Sequence, residues 1–158
     1  MEEAGEKIQQ KEQMVERMGI FFEKQGLTPI HGRVFAFLLL AEPPHKDFYE
    51  IQEFLKASKS AVSNAIKFLM NTGLVEYITF SGDRRRYFRV NTQGWMELTK
   101  KKMQNATTLK DILSDVLNAR ANSKHLAFNE ELEKMLEFNR ELGGLMERFI
   151  EKWDTENG

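Results

Sequence analysis

Cysteine is absent from this chain of 158 residues. That excludes a disulfide framework, a thiolate metal site and a thiol nucleophile together. Proline is scarce, with three in all, and each stands where a helix starts or stops. No apolar run approaches about 20 residues, so a transmembrane helix is excluded. The first ten residues, MEEAGEKIQQ, lack the basic-then-apolar pattern of a signal peptide. With the missing cysteine, this points to a cytoplasmic protein. Internal repeats and low-complexity tracts are also lacking. So are the nucleophile elbow, the phosphate-cradling glycine loop and paired catalytic carboxylates, and an enzyme is not expected. His31, His45 and His125 are scattered without the i, i+4 pairing of a metal site, so neither metal nor cofactor is expected. Glu130, Glu131 and Glu133 read as a solvated face.

What is present is 41% hydrophobic and 30% charged, a globular and mostly helical balance. Net charge is −1, but its distribution is uneven. Residues 1–25 and 95–158 each carry −2, whereas Lys56–Arg89 holds seven basic residues against Glu76 and Asp83. A basic centre between acidic flanks is the footprint of a localised polyanion-binding face.

Periodicity supplies the elements. Ile8, Val15, Met18 and Phe22 have helical spacing, closed by Gly26. Thr28-Pro29 opens a second helix, whose VFAFLLLA run is apolar all round and belongs at the centre of the core. Pro43 and Pro44 stop it. Asp47 caps a short helix to about Leu55, and Lys56-Ala57-Ser58 is a tight turn. Ser58 caps a further helix to about Asn71, closed by Gly73. There Val62, Ala65, Ile66 and Leu69 share one face, and Lys59, Ser60, Ser63, Asn64 and Lys67 another. This is the helix-turn-helix pattern. From Val75 to Phe80 and from Arg86 to Val90 the period is two, with Ser81-Gly82-Asp83 as the turn: a β-hairpin with arginines at its tip. Gly94 separates it from a helical remainder broken near Ala121-Asn122-Ser123. The remainder carries Leu109, Ile112 and Val116, then the heptad seam Leu132, Met135, Asn139, Leu142, Met146, Phe149 and Trp153, which needs a partner.

On a duplex, the second short helix suits the major groove, where amides and hydroxyls read base edges and lysines meet phosphate. An arginine at a hairpin tip suits a narrow minor groove, and Asp83 is spaced to orient Arg85 by a salt bridge. Of Arg84, Arg85 and Arg86, Arg85 is favoured for that role.

The stretch SKSAVSNAIKFLMNTGLVEYITFSGDRRRYFRV resembles the winged helix-turn-helix of the MarR family of regulators. GLTPIHGRVFAFLLLAEPP is similar to its GbsR-like branch. The resemblance covers about Gly26–Val90. It departs at Val90-Asn91-Thr92-Gln93, where many members have Leu-Thr, which leaves the register of the wing's end open. It implies a homodimer on a palindromic double-stranded DNA operator. Lys59, Ser60, Ser63, Asn64 and Lys67 would face the major groove, and Arg84 or Arg85 the minor groove. It also implies a small-molecule effector between the DNA-binding lobe and the dimer helices. Phe21, Phe22, Tyr49, Tyr77 and Trp95 are available for a cation cage, though core packing is their expected role.

The expected fold is mainly α (α+β): a dimerising helix over residues 1–26, a winged helix-turn-helix over 27–94, and dimerising helices over 95–158. The expected function is sequence-specific transcriptional regulation, with repression by promoter occlusion. The alternative is a winged helix used for protein–protein contact.

Overall fold

The computed structural model describes the backbone of residues 2–158 and their side chains except those of residues 2–4, 106 and 107. The chain forms two compact units, Met1–Trp95 and Met96–Gly158.

In the first unit, helix α1 (Glu2–Lys24) packs on α2 (Pro29–Leu39). Thr28 caps α2, its Oγ1 accepting the His31 N–H at 3.4 Å, and Pro29 occupies the first turn, where no N–H is needed. Val34, Phe35, Ala36, Phe37 and Leu38 are buried, while Leu39 at the end of the run is exposed. Arg33 of α2 ties the crossing by pairing with Glu16 and Glu23 of α1. The Phe22 ring meets Phe35 edge-on at 5.0 Å.

A two-residue strand, β1 (Lys46–Asp47), leads into α3 (Phe48–Leu55). Asp47 caps α3 in a reciprocal box. Its carboxylate accepts the Glu50 N–H at 2.9 Å, and the Glu50 carboxylate accepts the Asp47 N–H at 2.9 Å. Lys56 turns the chain through the left-handed region (φ 51°), and Ser58 caps α4 (Lys59–Asn71) by accepting the Ala61 N–H at 3.2 Å. Val34, Ile51, Val62 and Leu69 are fully buried where α2, α3 and α4 meet. Each contributes about 1.5–3 kcal/mol relative to exposure.

Gly73 (φ 78°) releases the chain from α4 into β2 (Val75–Ile78), which pairs antiparallel with β3 (Tyr87–Val90). β1 adds to the other side of β3, giving the order β1-β3-β2 with Asp47 opposite Tyr87. Two residues cannot show alternation, so β1 left no signal in the sequence. The first wing strand ends at Ile78, short of Phe80. There the Asp83 N–H donates to the Phe80 carbonyl at 3.1 Å to close the turn, and the Phe80 ring leaves the ladder to meet His45 and Tyr87. Gly94 lies inside α5 (Thr92–Ala119), within two residues of the division between the two units. A Cβ there would stand 1.9 Å from the Gly73 carbonyl oxygen, so the missing side chain permits a close backbone approach.

In the second unit, α5 runs on to Ala119 and α6 (Leu126–Asn157) follows. Leu113, Leu132 and Leu136 are buried together, with Leu117 against them. Arg120 donates through Nε to the Asn129 Oδ1 at 2.8 Å near the turn, and Lys100 pairs with Asp154 at 2.5 Å. Leu132 of the expected seam thus lies in the chain's own core. Asn139 donates to the Met135 carbonyl of its own helix at 2.8 Å. The side of α6 left open carries Phe128, Met135, Phe138, Leu145, Phe149 and Trp153, and α5 leaves Leu109, Ile112 and Val116 exposed.

Candidate nucleic-acid interface

The apolar residues of α4 at i, i+3, i+4 and i+7 turn into the core, so the remaining positions of the helix must face out. Val62, Ala65, Ile66 and Leu69 are buried, and Lys59, Ser60, Ser63, Asn64 and Lys67 are all exposed. The turn before α4 is fixed by the Ser58 cap, by a contact between the Ser58 and Ser60 hydroxyls at 3.2 Å, and by Gln52, whose amide donates to the Ala57 carbonyl at 3.3 Å. Gln52 was missed by sequence reasoning, because nothing in spacing marks a side chain that bonds a loop carbonyl.

The wing meets α4 along a groove of about 230 Å³ lined by Ser63, Ile66, Lys67, Met70, Arg86 and Phe88, among others. Three polar residues of the helix, Ser63, Lys67 and Asn71, and one arginine of the wing therefore border one surface. The Arg86 guanidinium lies over the Tyr77 ring at 4.9 Å, a contact that holds the charge in place without neutralising it. Arg84 is exposed and makes no ion pair among the described residues.

Arg85 is bonded to two carboxylates. Its Nε and Nη2 donate to the two oxygens of Asp83 at 3.3 and 3.1 Å, and its backbone N–H donates to Asp83 Oδ1 at 2.9 Å. Its Nη1 donates to Asp47 Oδ2 at 3.0 Å. Tyr87 adds its hydroxyl, donating to Asp83 Oδ2 at 2.6 Å. The Arg85 guanidinium, and after it the Tyr87 hydroxyl, hold the Asp83 carboxyl far below the usual carboxylate range. The same bond to Asp83 raises the Tyr87 hydroxyl above its ordinary value.

Of the seven basic residues of Lys56–Arg89, three are therefore paired inside the protein: Lys56, Arg85 and Arg89. Arg89 pairs with Glu76 across the β2–β3 ladder at 2.7 Å, and Lys56 pairs with Glu12 of α1 at 3.4 Å. Lys59, Lys67 and Arg84 enter no ion pair among the described residues and stay available to an anionic partner.

Phe21 and Phe22 contact each other at 5.3 Å, Tyr49 contacts Phe48 at 5.8 Å, and Tyr77 takes Arg86. Contrary to the expected core role, Phe21, Tyr49, Tyr77 and Trp95 are exposed. Among the described residues no three His, Cys, Asp or Glu side chains are grouped to hold a metal. Nor is any helix long and apolar enough to cross a membrane.

Comparison with known proteins places this geometry. Residues 25–86 match the model of the MarR family. The chain is 32% identical over 104 residues to the HTH-type transcriptional regulator MmpR5 of Mycobacterium tuberculosis, a match covering 66% of this chain and 62% of that protein. A crystal structure of a transcriptional regulator superposes with a TM-score of 0.65 at 23% identity, covering 92% of this chain and 99% of that one. MarR from E. coli, solved as a mutant in complex with operator DNA, gives 0.41 at 17% identity, covering 68% and 86% of the two chains. The fold is a winged helix, mostly helical with a small antiparallel sheet.

Proposed function

We propose that the chain is a sequence-specific, double-stranded DNA-binding transcriptional regulator that works as a homodimer, without catalytic activity. The observation that carries the reading is the groove in which Ser63 and Lys67 of α4 border Arg86 of the wing. A helix of 13 residues with one exposed polar face suits the major groove, and a basic hairpin beside it suits the adjoining minor groove. The resemblance of the stretch from Ser58 to Val90 to MarR-family regulators supports the same roles. Repression by occluding a promoter is the mode adopted, since no activation surface is identifiable among the described residues.

A second copy of the chain is the partner assigned to the open apolar faces of the second unit. Phe128, Met135, Phe138, Leu145 and Phe149 recur at intervals of seven, three, seven and four residues along the open side of α6, the spacing of a helix–helix seam. A two-fold axis through such a seam would present two α4 helices to a palindromic operator. In this division of labour residues 1–26 and 95–158 serve assembly and 27–94 serve DNA. An effector, implied by the family, has a cleft of about 580 Å³ available in the first unit, lined by Leu38, Leu39, Val90 and Thr92 among others. Membership of the GbsR-like branch and a cytoplasmic location complete the proposal. The first rests on the GLTPIHGRVFAFLLLAEPP stretch, the second on the absence of cysteine.

Electrophoretic shift of random and operator-bearing duplexes across a salt series tests the reading. Phosphate contacts give a slope of about −0.9 in log affinity per log salt for each phosphate neutralised. Absence of any shift at low salt, together with capture of an acidic protein through the same face, would transfer the winged helix to protein–protein contact.

A further inference from the structure

We infer that Asp47 is a positioning residue for the wing, holding Arg85 at the angle set by the start of α3. This rests on the DNA-binding reading above and names a residue outside the surface assigned to contact.

The Asp47 side chain is only 7% exposed, although it carries a carboxylate. Its two oxygens are divided between two elements. Oδ1 accepts the Glu50 N–H of α3 at 2.9 Å, and Oδ2 accepts Arg85 Nη1 of the wing at 3.0 Å. The cap alone would need one oxygen, so the second bond is additional to helix capping. Burial makes that bond consequential, because a carboxylate withdrawn from water with a missing partner is costly.

Strand pairing closes the arrangement into a ring. Asp47 lies opposite Tyr87 in the β1–β3 ladder, Tyr87 donates to Asp83, Asp83 holds Arg85, and Arg85 returns to Asp47. Asp83 and Arg85 belong to the same short turn and can move together. Asp47 belongs to the element that leads into the helix-turn-helix. It is therefore the carboxylate through which the turn's own ion pair is referred to the body of the domain. Three of the five guanidinium N–H donors of Arg85 are engaged by the two carboxylates. Two donors remain, and the side chain is still 59% exposed, so the guanidinium is aimed without being consumed.

The test is Asp47→Asn in the full-length protein. Asparagine caps a helix about as well as aspartate, so α3 keeps its cap while the charge that holds Arg85 is lost. Trypsin supplies a readout independent of DNA, since it cuts after Arg84, Arg85 and Arg86. Cleavage there should accelerate about fivefold, the effect of removing one charged hydrogen bond at a partly exposed site, with the melting transition little changed. On DNA, the variant should lose preference for A-tract flanks and keep the wild-type salt slope, because no phosphate contact has been removed. An unchanged cleavage rate overturns the positioning role whatever the DNA result. Faster cleavage with unaltered flank preference overturns its part in readout. Failure of the wild-type protein itself to bind duplex would instead strike the functional reading, leaving the anchoring of the wing to stand on proteolysis.

Discussion

The His31 ring of α2 stacks on the Phe68 ring of α4 with centroids 4.3 Å apart and planes 17° apart. Nδ1 of His31 is buried with no hydrogen-bond partner among the described residues. Burial holds the imidazole below its ordinary value of 6.5. The unfolded chain therefore takes up the proton more readily than the folded one. The stability associated with a neutral His31 is complete above pH 6.5 and is lost as the pH falls through the lower, folded-state value. His31→Phe keeps an aromatic stack and removes the proton. Urea unfolding between about pH 5 and pH 8 should show a shallower acid-side decline for this variant than for wild type. Equal declines would assign the acid sensitivity to other groups.

Gly94 and Gly73 provide a test of packing between the start of α5 and the end of α4. A methyl group at Gly94 would meet the Gly73 carbonyl oxygen at 1.9 Å and the Asn91 amide nitrogen at 2.7 Å. Backbone must move to admit it, at a cost of about 1–3 kcal/mol or more. Gly5→Ala is the control, since nothing stands within 4 Å of its added Cβ and alanine favours a helix. It should stabilise by about 0.5–1 kcal/mol. Thermal melts of both variants decide; an unshifted Gly94→Ala would contradict the close approach.

The two sides of α6 call for opposite outcomes. Phe138 is 67% exposed on the open face, whereas Leu132 is 8% exposed against Leu113 and Leu136. Phe138→Asp should give a species of one chain mass in sedimentation, because an unpaired charge cannot be buried in an apolar seam. Leu132→Ala should leave assembly intact at low temperature and lower stability by about 2–5 kcal/mol. A wild-type protein that sediments as a monomer at micromolar concentration would remove the second copy from the proposal.

Much of this was legible in one dimension because local chemistry is written locally. Thr28, Asp47 and Ser58 announce three helix starts by the oxygen each offers to the backbone, and the outward face of α4 follows from Val62, Ala65, Ile66 and Leu69. What escaped depends on contacts distant in sequence. The Asp47–Arg85 bond spans 38 residues, and strand β1 is too short to have a period. The full capping box was within reach, as Glu50 stands three residues after Asp47. In α6 one apolar stretch has two sides: Leu132 of the expected seam packs with Leu136 on Leu113 of α5, while Met135, Phe149 and Trp153 of that seam stay exposed. The charge balance of Lys56–Arg89 also left out two carboxylates beyond that stretch, Glu12 and Asp47, which pair with Lys56 and Arg85.

On the DNA-binding reading, α4 and the wing should divide readout from attraction. Asn64 is exposed about one turn into the helix, where its amide can pair with the N6 and N7 edge of adenine. Asn64→Ala should cost about 1–3 kcal/mol on the operator and flatten preference at one base position, with the salt slope nearly unchanged. Lys67 borders the groove beside Arg86 and suits phosphate. Lys67→Ala should weaken all duplexes nearly alike and reduce the slope by about one unit. The two adjacent arginines should then differ. Arg84 has no ion pair among the described residues, so Arg84→Ala removes a charge and little else, again lowering the slope by about one unit. Arg85 is fixed by Asp83 and Asp47, so Arg85→Ala frees two carboxylates, one of them buried. That variant should lose preference for narrow-groove A-tract flanks and melt at a lower temperature than Arg84→Ala. Titration of the four variants against operator and scrambled duplexes at several salt concentrations, with a melt of each, tests all of this. Wild-type binding by all four on both duplexes would mean that this face does not touch DNA.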